Sequence, residues 1–321
     1  MSKGPQPGID SQNVGGGSSR PEAIKAIPIR HWGRWIAAAA IIFFAFALTY
    51  SFVRNPHVEW PIIWHYLFKG LILRGVLVTL ELTFLAMAIG AVGGTLLAVM
   101  RLSKNPVLAS VSWVYIWFFR GTPVYVQILL WGNFAILYPR LFLGLPFVNV
   151  VFASADSNRV IGVFVAALLA LGLNEAAYAA ELVRAGIISV ERGQAEAAAS
   201  LGMSPGLTMR RIILPQAMRV IIPPMGNETI SMLKTTSLVA VIAALDLMTR
   251  VTNLYSQNFK IFPLLLVACI WYMFFTTLLT IGQRYLEAYF GKGFGEKEAA
   301  SAEKRAMKRL ERKTGVDPGV F

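Results

Sequence analysis

The sequence predicts an all-α membrane protein, and three observations carry that reading. Only 15% of its 321 residues are charged and 56% are hydrophobic, whereas an ordinary soluble domain is about a quarter charged. Six apolar stretches approach the roughly 20 residues a helix needs to cross a bilayer. The net charge of +13 is unevenly spread and collects on alternate connections between those stretches.

Residues 1–34 begin with a Gly-, Pro- and Ser-rich stretch that has no apolar core, so they read as a disordered cytoplasmic tail and not as a signal peptide. The first span runs over residues 35–53. It is nearly all Ala, Ile and Phe and carries no polar handle, which suits a peripheral anchor. Residues 54–75 are an outer connector. Its second half, from His65, sets Leu67, Leu71, Ile72 and Val76 against Lys69 and Arg74, the pattern of a short helix lying in the interface, with Trp60 and Trp64 at headgroup depth. The second span covers Val76 to Met100 and holds Glu81. The third, Val107 to about Leu137, is interrupted by Arg120, Gly121, Thr122 and Pro123. A turn at membrane depth is tolerated only where protein or a water-filled cavity covers it, so this break marks a cavity wall or a helix junction. The fourth span covers Val160 to about Ala180. The fifth covers about Val220 to Leu245, with Pro223 and Pro224 at its start, and the sixth covers Ile261 to Gly282.

Counting 107–137 as one broken helix puts the basic loops on one side. Residues 1–34 carry five Lys and Arg, 101–106 two, 184–219 five and the tail 284–321 nine; the opposite loops carry seven in all. The positive-inside rule then places both termini in the cytoplasm of a multi-pass protein of the cell inner membrane. The same distribution accounts for the basic balance without nucleic acid. The single cysteine, Cys269, lies in an apolar run, which excludes a disulfide framework and leaves no zinc site.

Residues 184–219 are too polar to cross the membrane. Glu196 to Leu201 favours helix, Gly202 suits a helix stop, and Ser204 with Pro205 suits the cap and first position of a second helix, which Pro215 would end. The result is a helix–turn–helix held in the cytosol with small alanines exposed, a knob against which another protein's surface can approach closely.

The stretch 196–215 resembles the EAA loop of ABC-importer permeases: Glu196, Ala197, Ala198, Gly202, Ile212, Leu214 and Pro215 occupy each fixed position of Glu-Ala-Ala, three residues, Gly, nine residues, Ile, one residue, Leu-Pro. Four more elements narrow the resemblance to the polar amino-acid uptake branch: Phe119–Pro123, Ala177–Glu181, Pro223–Glu228 and Leu233–Leu238. It covers about Tyr66 to Tyr289. It implies a helical bundle of five core transmembrane helices, here within a permease domain at 76–283, plus one additional N-terminal transmembrane helix that members of the branch lack. A further departure is Thr235, where the branch often has an acidic residue or Asn.

By the same resemblance the chain is the permease subunit of an ATP-driven amino-acid importer, with Glu196–Gly202 as the coupling helix in a groove of a separate ATPase. The implied partners are a dimer of ABC ATPase subunits, a second permease copy or paralogue, an extracytoplasmic substrate-binding protein and the bilayer. No cofactor is expected. Polar groups inside spans are functional candidates by default: Glu81, Glu175, Glu181, Asn227, Glu228 and Lys234, with Thr236 and Ser237 beside the last. Asn174, Tyr178 and Glu181 share a helix face and line either the pathway or a subunit interface. Interhelical pairing that only holds the bundle together is the plainer reading for all of them. Glu228 and Lys234 fall near opposite faces of one helix and do not pair. Arg120 reads either as an anchor for a carboxylate or phosphate or, more simply, as a donor to the carbonyls freed by the break.

The alternative class is a stand-alone secondary transporter or channel, but no internal repeat is present and the docking loop would be unexplained. An enzyme is excluded by the lack of a nucleophile–His–acid set, since His31, His57 and His65 all lie near the N-terminal connector, and by the lack of a Gly-x4-Gly-Lys-Ser/Thr phosphate loop.

Overall fold

The computed structural model describes residues 32–145 and 150–291; the tail expected before residue 32 and most of the charged tail after 284 lie outside them. Two units follow one another in the chain, divided after Asn55. The first holds α1, Trp32–Val53, an uninterrupted apolar helix with no buried residue.

The second unit begins with α2 (Trp60–Leu67) and α3 (Gly70–Arg101). Phe68 and Lys69 separate these, so the single interfacial helix expected from His65 onward is instead the end of one helix and the start of the next. Next come α4 (Pro106–Gly121) and α5 (Val124–Gly132), with the expected break between them, and the short α6 (Phe134–Leu137). A feature the sequence did not announce follows: an antiparallel hairpin of β1 (Arg140–Leu145) and β2 (Val150–Asp156), with Arg140 opposite Asp156 and a bulge after Leu143. A turn, α7 (Ser157–Val160), leads into α8 (Val163–Ile188).

The elbow is α9 (Arg192–Ser200) and α10 (Pro205–Thr208), continuing through a π-helical turn at Met209–Ile213 into α11 (Leu214–Thr235). Two expectations are corrected here. Pro215 does not end a helix. It lacks the N–H that would bond back one turn, and the chain accommodates it by widening: Leu214 N–H reaches the Met209 carbonyl five residues back, and Gln216 Nε2 takes up the Ile212 carbonyl at 2.9 Å. Consequently Pro223 and Pro224 sit inside α11 and not at its start. Pro205 does open its helix as expected, with Thr208 N–H and Oγ1 both donating to the Ser204 carbonyl.

After α11 a 3-10 segment, Thr236–Ile242, leads to α12 (Leu247–Asn258) and α13 (Ile261–Gly291). Asp246 caps α12, accepting from Met248 N–H and Thr249 N–H at 3.0 Å each. Helices α1, α3, α8 and α13 are each long and apolar enough to cross a membrane, and the pair Pro205–Ile242 with Leu247–Asn258, bent by 47°, counts as a fifth when it is taken as one broken span. Three buried clusters are stacked through the second unit. One forms around Ile72, Leu247 and Leu264, a second around Leu82, Ile128 and Leu171, and a third around Ala98, Val183 and Ile221.

Helices α3 and α8 are the spine. Ala86, Gly90, Gly94 and Ala98 put a small residue at each fourth position over the second half of α3, which lets the backbones meet closely, the arrangement favoured where lipid offers no hydrophobic drive between helices. A β-carbon on Gly94 would lie 2.5 Å from Ala179 Cβ and 2.8 Å from the Ala180 nitrogen.

Candidate functional site

The α4–α5 break is held by amides from inside the bundle. Gln127, one turn into α5 and buried, donates through Nε2 to the Phe119 carbonyl at 3.0 Å, the Thr122 carbonyl at 3.1 Å and Thr122 Oγ1 at 2.8 Å. Asn174 of α8 donates through Nδ2 to the same Phe119 carbonyl at 2.9 Å and to Gln127 Oε1 at 3.3 Å. These two residues meet acceptors that a helix break would otherwise leave bare. Arg120, expected to do so, is directed elsewhere: its Cζ lies 5.1 Å from the centroid of the Tyr178 ring. Replacing Gln127 by leucine leaves the Phe119 carbonyl to Asn174 but takes the amide donor from the Thr122 carbonyl and one acceptor from Asn174 Nδ2, and is expected to destabilise the protein by about 2–4 kcal/mol at one to three kcal/mol per orphaned group, read as a lowered thermal unfolding midpoint in detergent.

With the break pinned, a cavity of about 630 Å³ opens where α4, α5, α8 and α11 converge. From the break it takes Arg120 to Val124, from α8 Asn174, Glu175 and Tyr178, and from α11 Glu228, Ser231, Met232 and Thr235. Glu175 is buried, 3% exposed, and its Oε1 has no hydrogen-bond partner among the described residues. It fits against α3 only because Gly90 has no side chain: a β-carbon there would lie 2.3 Å from Glu175 Cγ. One guanidinium and two carboxylates thus border one space inside an apolar bundle.

Of the residues expected along the pathway, the structure brings Asn174, Tyr178 and Glu228 to this cavity. Glu181 borders a second cavity and is paired with Arg184 at 2.6 Å. Asn227 accepts from Gln283 Nε2 of α13 at 2.9 Å, tying two helices together. Lys234 points outward, and Thr236 and Ser237 turn their hydroxyls onto the Leu233 and Lys234 carbonyls at 2.7 Å each. Ser231 and Gln127 were missed. A glutamine four residues after a Pro-marked break was the available signal for Gln127, and the four-residue spacing Glu228, Met232 with Ser231 and Thr235 between and beyond them was the signal for the cavity face of α11.

The elbow is built on a helix terminator. Gly202 stands at φ +75°; Gly202 N–H donates to the Ala199 carbonyl at 2.9 Å and Met203 N–H to the Ala198 carbonyl at 3.0 Å. This is the paired closure that lets a chain reverse directly after a helix. Glu196, Ala197 and Leu201 are exposed, Leu201 by 80%, while Ala198 is buried. Ile212 is half-buried at the root, with Leu214 and Pro215 exposed beside it.

Residues 90–290 match the family described as binding-protein-dependent transport system inner membrane component. The arginine transport system permease protein ArgU of Corynebacterium glutamicum is 48% identical over 284 residues, 88% of this chain and 88% of that protein. A probable amino-acid ABC transporter permease protein, PatM of Vibrio harveyi, is 36% identical over 216 residues, 67% of this chain and 90% of that one. Among solved structures, the crystal structure of an amino acid ABC transporter with histidines matches with a TM-score of 0.58 at 35% identity, covering 69% of this chain and 95% of that one. An inward-facing MetNI methionine ABC transporter shares the fold at a TM-score of 0.52 and 19% identity.

Proposed function

We propose, on the premise that the chain belongs to the binding-protein-dependent transport system inner membrane components, that its central cavity is the carrying site for a cationic amino acid and its elbow the seat of the ATPase. The chain is the membrane permease subunit of an amino-acid ABC importer. ATP is hydrolysed on a separate subunit, and a substrate-binding protein delivers the solute. The finer reading adds that both termini face the cytosol and that α4 and α5 together make one of five core crossings. It also has two permease copies, or a copy and a paralogue, sit over two ATPases, and the purified permease alone hydrolyses no ATP.

The single observation that carries the substrate reading is the charge set of the cavity. A zwitterion needs one cation for its carboxylate and one anion for its ammonium. Arg120 supplies the first, and Glu175 and Glu228 supply one carboxylate more than a neutral amino acid uses. The surplus anion fits a side chain that is itself a cation, and the 48% identical relative is named for arginine transport. Charged groups inside a bilayer are costly and are retained where they face a pathway.

The test is uptake by the reconstituted importer, permease with ATPase and binding protein, in liposomes offered arginine, lysine, histidine or glutamine. Arginine or lysine is expected to be carried fastest. Glu228→Gln is expected to raise the arginine KM by about tenfold, the equivalent of one charge-assisted contact, with little change for glutamine. Equal uptake of all four, with KM unchanged in the variant, overturns the substrate reading.

A further inference from the structure

A second cavity of about 480 Å³ lies on the elbow side of the first. It is bordered by Arg101 at the end of α3, by Trp113 and Trp117 of α4, and by Glu181 of α8. Those α3 and α8 positions lie toward the chain ends that lead to the cytosolic loops, whereas Glu228 to Thr235 stand roughly 20–30 Å along α11 from its elbow end. The two cavities share three residues, Arg120, Gly121 and Tyr178. The Arg120 guanidinium stacked on the Tyr178 ring is the partition between them.

That partition is built to move without moving the backbone. The carbonyls of the break are fixed by Gln127 and Asn174. The Arg120 guanidinium makes no hydrogen bond among the described residues, so its donors are free for a ligand. The contact to Tyr178 is a cation–π contact, worth about 0.5–2 kcal/mol, which a carboxylate arriving on the guanidinium can replace. Each cavity is bordered by Arg120 and by carboxylates, Glu175 and Glu228 on one side and, on the other, Glu181, which Arg184 already engages at 2.6 Å. The outer face of the second adds Arg101 and two stacked indoles with centroids 6.3 Å apart, tilted by 13° and 50% and 62% exposed. Indole faces take cations.

We propose that the second cavity is a separate release-side binding site for the carried amino acid, in series with the central one, and that Arg120 hands the carboxylate across while Tyr178 is the partition it leaves. This inference rests on the central cavity being the carrying site. A solute whose carboxylate had to leave one cation before finding the next would stand bare in a low-dielectric space, at a cost of several kcal/mol. A guanidinium that borders both cavities removes that step.

The measurements use the reconstituted importer and radiolabelled arginine. Equilibrium dialysis of the wild-type permease–ATPase complex, with the binding protein left out, is expected to find two arginine molecules per permease chain. Trp117→Leu and Arg101→Gln, both outside the central cavity, are expected to lower the maximal uptake rate about tenfold with KM unchanged, a loss on the scale of one indole–cation contact. Tyr178→Leu is expected to hydrolyse ATP without matching uptake, and Tyr178→Phe, which keeps the ring, to restore coupling. One arginine per chain, with Trp117→Leu and Arg101→Gln at wild-type rate, overturns the relay while leaving the central site standing. No arginine bound, with Glu228→Gln indistinguishable from wild type, overturns the central site and the relay together.

Discussion

Gly202→Val is expected to cut ATP-driven uptake to less than about a tenth of wild type while the membrane helices stay folded. At φ +75° a β-branched side chain is a genuine outlier, and the left-handed conformation costs an ordinary residue about 1–2 kcal/mol. Steric crowding adds nothing, because a β-carbon on Gly202 meets no atom within 4 Å. The penalty therefore falls wholly on the reversal. To escape it the chain must rotate Gly202 out of the left-handed region, and the bonds from Gly202 and Met203 back to Ala199 and Ala198 then break. Leu201 and the exposed alanines ahead of it lose their fixed direction, and a knob that has lost direction cannot transmit a partner's closure. Gly202→Asn separates this account from a simple loss of space, since asparagine tolerates positive φ and is expected to keep most of the activity. Paired uptake and ATPase measurements on the reconstituted importer decide it. Valine at wild-type rate would remove the conformational argument.

What could be read from the sequence was whatever depends on near neighbours. The elbow, its glycine stop and Pro205 are local, and they stand where expected. The break at Arg120–Pro123 was legible because Gly and Pro punctuate any span. Three features needed the folded chain. Strands β1 and β2 carry large apolar side chains at successive positions, Phe142 and Leu143 in one and Val151 and Phe152 in the other, so the alternation that usually announces a strand is missing. Pro215 signalled a stop, but a π-helical turn absorbed it, and nothing in the local pattern distinguishes the two outcomes. The face of α11 was the third. Lys234 and Thr235 are adjacent, and about 100° of rotation sends one outward and the other into the cavity. Only packing against α8, α13 and α3 sets that phase, so Lys234, Thr236 and Ser237 were plausible pathway residues on composition and Ser231 was not noticed.

Gly94→Leu is expected to have the largest effect on the fold itself. The side chain would be driven into backbone as well as side chain, with Ala180 N 2.8 Å and Ala179 C 2.9 Å from its first carbon. No rotamer can relieve a clash that begins at Cβ, so α3 and α8 must separate. Overpacking of a tight core costs about 1–3 kcal/mol when side chains can shift and more when the obstacle is backbone. The cost then spreads to the site. Glu175 lies against Gly90 one turn earlier on α3, and Asn174, the next residue back, holds the α4–α5 break through the Phe119 carbonyl. Parting the two helices by even an ångström therefore loosens the packing behind the buried carboxylate and draws away the amide that pins the break. The expected result is little folded protein in the membrane fraction and a thermal midpoint well below wild type for what remains. Gly33→Leu, on the exposed anchor helix where a β-carbon meets nothing within 4 Å, is expected to change neither. Equal yields for the two would mean that the α3–α8 contact does not depend on its small residues.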